Sequence, residues 1–276
     1  MKDFKPVVER QKQFFSSGQT KDVNFRKTQL KKLLRTLQDN EKLLVEAAWQ
    51  DLHKSEFETY ATELGLVYGE IRLAIKKVGK WSKPKRVMTN LANLPAGSFI
   101  HSEPFGVSLI IGSWNYPCLL TLGPLIGAMV AGNTIILKPS ELTANCSAVL
   151  ATLLNDAFEP DYFHVIEGGI PETQELLREK FDYIFFTGST RVGNIIYKAA
   201  AENLTPVTLE LGGKSPCIVD KDANLKIAAK RTAWGKFFNA GQVCIAPDYL
   251  LVHSDVKEEL LEYLKPEKAY LTHISH

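Results

Sequence analysis

The sequence predicts an α/β fold, with a helical N-terminal part, a parallel helix-covered sheet and a further α/β segment. Three observations predict it. The 276 residues are 45% hydrophobic and 23% charged, the composition of a globular chain of about two domains. Up to about residue 80 the apolar residues recur at helical spacing. From residue 105 onward, short apolar runs alternate with helix-like stretches, the rhythm of βαβ units.

The N-terminal part carries Leu30, Leu33, Leu34 and Leu37 at i, i+3, i+4 and i+7, with charged residues between them. Leu43, Leu44, Ala47 and Ala48 continue the pattern, so this part reads as packed amphipathic helices. Pro84, Pro95, Gly97 and Pro104 punctuate the next stretch, which reads as a boundary, an arm or an extended hairpin. The strand candidates are then Val107–Gly112, Thr134–Lys138, Phe163–Glu167, Tyr183–Thr187, Val207–Leu211, Pro216–Val219 and Tyr249–Val252. The divisions expected from this texture are a helical part over 1–82, an arm over 83–104, a parallel-sheet domain over 105–210, a further α/β segment over 211–264 and a tail over 265–276.

Composition excludes several classes. With 33 Lys+Arg against 31 Asp+Glu, nothing points to nucleic acid or a membrane surface as partner. The four cysteines form no CxxC pair, which argues against a structural zinc site and a disulfide framework. Residues 1–10 are polar, unlike a secretory signal. The longest apolar run, Cys118–Ala131, is broken by Gly123, Pro124 and Gly127 and is shorter than the roughly 20 residues of a membrane span. A reducing, cytoplasmic setting is expected, in which a functional cysteine acts as a thiol.

Parallel sheets place ligands at the carboxyl ends of their strands. After the first strand comes Gly112-Ser113-Trp114-Asn115-Tyr116-Pro117, where Asn115 is either a turn residue or a fixed NH2 donor. After the second comes Lys138-Pro139-Ser140-Glu141. Pro139 fits the first turn of a helix, and Lys138 and Glu141 could hold ribose hydroxyls. After the fourth, Thr187-Gly188-Ser189-Thr190-Arg191-Val192-Gly193 leads into a helical run from Asn194 to Ala201. Its glycines would let a pyrophosphate approach a helix N-terminus, although the spacing is not GxGxxG. After the fifth, Glu210 ends an apolar strand beside Gly212 and Gly213, where desolvation would raise its pKa toward that of a useful base. The stretch from Ala223 to Asn239 reads as a helix, and Cys244 follows Ala240-Gly241-Gln242 in a loop, a setting for a reactive thiol. Cys118, Cys146 and Cys217 sit in apolar runs or on a helix face and read as small core residues.

Taken in order, Asn115-Tyr-Pro, Lys138-Pro-Ser-Glu141, Phe186-Thr-Gly-Ser-Thr, Leu209-Glu-Leu-Gly-Gly-Lys-Ser-Pro and Asn239-Ala-Gly-Gln-Val-Cys244 resemble the aldehyde dehydrogenase superfamily. Cys244-Ile-Ala-Pro-Asp-Tyr looks like its class 3 branch, which includes fatty and aromatic aldehyde enzymes. The resemblance implies an aldehyde dehydrogenase-like fold with a Rossmann-like sheet, in which 1–82 is the helical part of the cofactor domain, 83–104 an extended arm, 105–210 the NAD(P)-binding domain, 211–264 an incomplete catalytic domain and 265–276 an atypical tail. It implies NAD(P)-dependent oxidation of a small-molecule aldehyde to a carboxylate. Cys244 matches the nucleophile, Asn115 the oxyanion donor and Glu210 the residue that activates water against the thioester. The glutamate favours hydrolysis over transfer to coenzyme A. Lys138 and Glu141 match the adenine-ribose residues, and Gly188, Ser189, Gly193 and Gly212 belong to the expected cofactor-binding set. Trp114 matches the nicotinamide side. Glu141 would repel a 2′-phosphate, favouring NAD with NADP still open.

Family members continue well past the nucleophile, through a Glu-x-Phe-Gly-Pro motif and a dimerisation strand, neither of which is in this sequence. The chain is therefore expected to be C-terminally truncated, without a membrane anchor and with part of a family-type homodimer interface missing. The alternative is a non-catalytic fragment that binds nucleotide or a homologous subunit. A weaker alternative is a cysteine hydrolase acting on esters. His273 and His276 read as part of a loose tail rather than a metal pair.

Overall fold

The structure, a computed structural model, describes residues 3–274, with side chains through residue 266. It divides into two compact units. Among the described residues the first comprises 3–187 and 191–210, the second 188–190 and 211–274.

The first unit opens with helices α1 (Lys5–Ser16), α2 (Val23–Asp39), α3 (Glu41–Leu52), α4 (Glu56–Thr59) and α5 (Gly65–Trp81). Asp22 starts α2 by accepting the amides of Asn24 and Phe25 at 3.1 and 3.2 Å, an N-cap arrangement. Leu30, Leu33 and Leu37 are fully buried along its inner face. In α3, Leu44, Ala47 and Ala48 are buried but Leu43 points outward. A π-helical turn, Tyr60–Leu64, joins α4 to α5. The arm is an antiparallel pair, β1 (Lys85–Val87) and β2 (Ser98–Ile100).

The sheet follows, formed by β3 (Val107–Ile111), β4 (Thr134–Lys138), β5 (Phe163–Val165), β6 (Tyr183–Gly188) and β7 (Val207–Leu211). Its order is β5-β4-β3-β6-β7, with β3 parallel to both β4 and β6. Between the strands run α6 (Leu119–Ala131), α7 (Ala144–Ala157), α8 (Ile170–Leu176) and α9 (Thr190–Ala201). Every residue of β3 and β4 is buried, which explains their continuous apolar runs. One core unites Leu30, Leu44 and Ile71 of the N-terminal helices with Ile110, Ile135 and Phe163 of the sheet. Each such side chain contributes about 1.5–3 kcal/mol on burial.

The second unit contains β8 (Pro216–Val219), α10 (Leu225–Phe237), β9 (Tyr249–Val252) and α11 (Lys257–Ile274). β8 and β9 pair in parallel. Val219, Leu225, Ala229 and Leu260 form a small core.

Three expectations are corrected here. Pro139 lies in the loop after β4 and not in the first turn of a helix, because α7 begins only at Ala144. Helix α9 begins at Thr190 rather than Asn194, so Gly193 lies within it and is buried. The segment after residue 264, read as a loose tail, is helical, since α11 runs on past Pro266 to Ile274. The side chain of His273 and all of His276 lie outside the described residues.

Candidate active site

The strand order reverses around β3, whose neighbours are β4 and β6. Such a switch point leaves a crevice at the carboxyl ends of the strands. The loop after β3 is drawn tightly against α6. Gly112 donates its amide to Lys138 O at 2.9 Å, and a Cβ at Gly112 would lie 2.2 Å from Thr121 Oγ1, so only glycine fits. This turn leads to Trp114, which is 36% exposed, and to half-buried Asn115. Ser113 Oγ donates to Asn115 Oδ1 at 2.7 Å, which turns the amide NH2 of Asn115 away from Ser113.

The loop continues into α6, whose own residues supply no side-chain cap. The cap comes from Glu63, whose Oε2 accepts the amides of Cys118 and Leu119 at 2.8 and 3.1 Å. Glu63 Oε1 lies 2.7 Å from Lys54 Nζ, and both side chains are almost wholly buried. Lys54 also donates to Asn115 O at 3.4 Å and lies 4.4 Å from the Tyr116 ring centroid. α7 is served in the same way. Asp51 of α3 accepts the amides of Asn145 and Cys146 at 3.1 and 2.8 Å. Lys54, Glu63 and Asp51 carried no sequence signal as site builders, because their partners lie far along the chain.

At the end of β4 the structure brings two candidates together. Lys138 Nζ lies 2.6 Å from Glu141 Oε2, the lysine side chain 2% and the glutamate 42% exposed. Burial pushes the Glu141 carboxyl up, but the hydrogen bond from Lys138, a backbone hydrogen bond and the lysine charge outweigh it. Glu141 therefore titrates below the ordinary carboxylate value. A buried ammonium beside a half-exposed carboxylate is a donor–acceptor set suited to vicinal hydroxyls, so these residues fit a nucleotide ribose. Gly188 ends β6, and Ser189 precedes α9.

The nucleophile candidate is in the second unit. Just before it, Asn239, Ala240 and Gly241 have φ of +51°, +54° and +79°. Two successive non-glycine residues in the left-handed region cost about 1–2 kcal/mol each, and such strain clusters at functional sites. Asn239 is buried and donates through Nδ2 to Gln242 O at 3.3 Å. Gln242 Nε2 donates back to Asn239 O at 3.1 Å. This closed loop presents Cys244 to solvent. A Cβ at Gly213 would meet Cys244 O at 2.5 Å, so the second glycine of Glu-Leu-Gly-Gly is the one that the cysteine loop requires. Gly212 has open space around its Cβ position.

The other thiols are unlike Cys244. Cys118 is buried, and its thiol is pushed far up by burial and then by Glu63. Cys146 is also buried, its thiol raised by burial and then by Asp51. Cys217 is half-buried. Glu210 departs from expectation. It is exposed, because β7 is an edge strand whose other residues are only partly covered. The desolvation expected to activate it is therefore absent. A cavity of about 260 Å3 in the second unit is lined by Ala233, Phe237, Pro247 and Tyr249 among others, and Cys244 is not one of them. Among the described residues no cluster of His, Cys, Asp or Glu could hold a metal ion. No helix among them is long and apolar enough to cross a membrane.

Comparison with known proteins adds the family. Residues 1–273 match the model of the aldehyde dehydrogenase family. The chain is 53% identical over 253 residues to the 4,4'-diaponeurosporen-aldehyde dehydrogenase of Staphylococcus aureus, covering 92% of this chain and 55% of that protein. It is 48% identical over 265 residues to the dimeric NADP-preferring aldehyde dehydrogenase of Canis lupus familiaris, covering 96% and 58%. A solved structure of the substrate-bound state of Staphylococcus aureus AldH superposes with a TM-score of 0.94 at 51% identity, covering 96% of this chain and 58% of that one. The chain thus spans about half the length of the curated relatives it matches. It belongs to the aldehyde dehydrogenase family.

Proposed function

We propose that the chain carries the nucleotide-binding part and the nucleophile of an NAD(P)-dependent aldehyde dehydrogenase. The observation that carries this is the exposed Cys244 on a strained, glycine-anchored loop in a chain of this family. Cys244 forms a C–S bond to the aldehyde carbon as a thiolate, and the carbonyl oxygen becomes an oxyanion. The Asn115 NH2 and the Cys244 backbone NH donate to it, and fixed donors of this kind are worth several kcal/mol in the transition state. A nicotinamide dinucleotide, when bound, supplies the acceptor for the hydride that leaves that carbon, so that a Cys244 thioester remains. Glu210 then takes a proton from water, which attacks the thioester. The carboxylate leaves, and the thiolate returns.

Lys138 and Glu141 hold the adenine ribose, Gly188, Ser189, Gly193 and Gly212 serve the cofactor site, and Trp114 borders the nicotinamide. The charge of Glu141 disfavours a 2′-phosphate, so NAD is preferred; the NADP preference in the name of the canine relative keeps NADP as second cofactor. Medium to long aliphatic or aromatic aldehydes are the proposed substrates; the staphylococcal relative is named for 4,4'-diaponeurosporen-aldehyde. A homodimer in the cytoplasm is the proposed setting, supported by the four unpaired thiols and by the name of the canine protein.

The test is NADH formation by the purified chain with a medium-chain aldehyde, beside Cys244→Ala and Glu210→Gln. The expected outcome is turnover that vanishes in Cys244→Ala. In Glu210→Gln a single burst should appear, with the acyl group trapped on Cys244 and visible by mass. The exposure of Glu210 favours a second reading, a nucleotide-binding chain without turnover. Bound NAD with no aldehyde-dependent signal would establish that reading and sink the first.

A further inference from the structure

We propose that the buried Lys54–Glu63 pair is a positioning device for Asn115, fixing the main chain of the loop that carries the oxyanion donor. The inference rests on the assignment of Asn115 to that role. The pair is costly to keep. Two charges are taken out of water, and apolar replacements of similar volume often stabilise as well or better. Their further contacts say what it is kept for. Glu63 Oε1 holds Lys54 at 2.7 Å, while Oε2 holds the amides of Cys118 and Leu119 at 2.8 and 3.1 Å. Lys54 reaches Asn115 O at 3.4 Å and packs 4.4 Å from the Tyr116 ring centroid. Both partners thus bind the same stretch, residues 115–119.

The origin of Glu63 points the same way. It sits in the π-helical turn Tyr60–Leu64, and such turns recur at functional sites. From this turn its carboxylate reaches the start of α6, where it meets the positive end of the helix dipole. Ser113 meanwhile fixes the side-chain amide of Asn115 from the other side. The main chain is held by the pair and the side chain by the hydroxyl, so the NH2 has one direction. Donors to an oxyanion act only when preorganised, and a misplacement of about 1 Å costs on the order of 100-fold in rate.

The test compares the wild-type chain with Glu63→Gln and with the double variant Lys54→Met/Glu63→Leu. The double variant leaves no lone buried charge and is the one expected to stay folded. Hydrogen exchange followed by mass spectrometry should show residues 112–119 exchanging about tenfold faster or more in both variants, with β3 and β4 unchanged. In turnover, kcat should fall about 10- to 100-fold, while the KM for aldehyde and the Kd for NAD stay within about twofold. In an Asn115→Ala background the Glu63→Gln penalty should largely disappear, because the two substitutions remove the same effect. Unchanged exchange over 112–119 in folded variants overturns the proposal, and so does an undiminished Glu63→Gln penalty in the Asn115→Ala background. A folded wild-type chain that forms no NADH refutes the proposed reaction instead, and the exchange result then decides the positioning alone.

Discussion

At the scale of the residue, Gly213 and Cys244 form one unit. The glycine backbone lies where any side chain would strike the cysteine carbonyl. Gly213→Ala is therefore expected to displace the loop and destabilise the chain by about 1–3 kcal/mol, with Tm lowered by several degrees and turnover lost. Gly212→Ala, with nothing within 4 Å of its Cβ, should leave Tm within about a degree. Equal melting of the two variants would refute the close approach. The exposure of the thiols was legible in the sequence, because glycines and a loop marked Cys244 as accessible while apolar runs marked Cys118 and Cys146 as core, and burial separates them in the same way. The condition of Glu210 was not legible. An apolar strand with a terminal glutamate reads alike whether or not anything covers it, and here it is exposed.

At the scale of the element, the strands were the legible part. β4, β7, β8 and β9 fall on the apolar runs that predict them; in β4, where every residue is buried, a parallel strand covered on both faces needs unbroken apolar sequence. Helix starts were less legible. α6 and α7 lack side-chain caps of their own and borrow Glu63 and Asp51, 55 and 95 residues away in sequence. Capping motifs are local patterns, so borrowed caps leave no local trace. Asp51→Ala is expected to cost about 1–2 kcal/mol, the value of a lost cap with its helix-dipole interaction. Thermal unfolding would show it as a drop of about 2–8 °C, and an unchanged melting curve would refute the role of Asp51.

At the scale of the whole molecule, acid stability should carry the signature of the Lys138–Glu141 pair. The Glu141 carboxyl titrates below its ordinary value in the folded chain. Its contribution is thus full above the unfolded value and is lost as pH falls through the folded one. With Glu141 partly exposed, solvent screening keeps the effect small. Glu141→Gln should flatten the fall of Tm with pH on the acid side of the carboxylate range and leave the neutral region level. A Glu141→Gln curve that parallels the wild type would show that the pair contributes nothing. The borrowed caps also have a consequence for synthesis. Asp51, Lys54 and Glu63 leave the ribosome before the amides at 118, 119, 145 and 146 exist. Lys54 and Glu63 are near enough in sequence to find each other early, whereas Asp51 must wait for α7. The N-terminal helices thus await the sheet that completes them, and an excised fragment beginning at residue 105 would lack the carboxylates on which two of its helices depend.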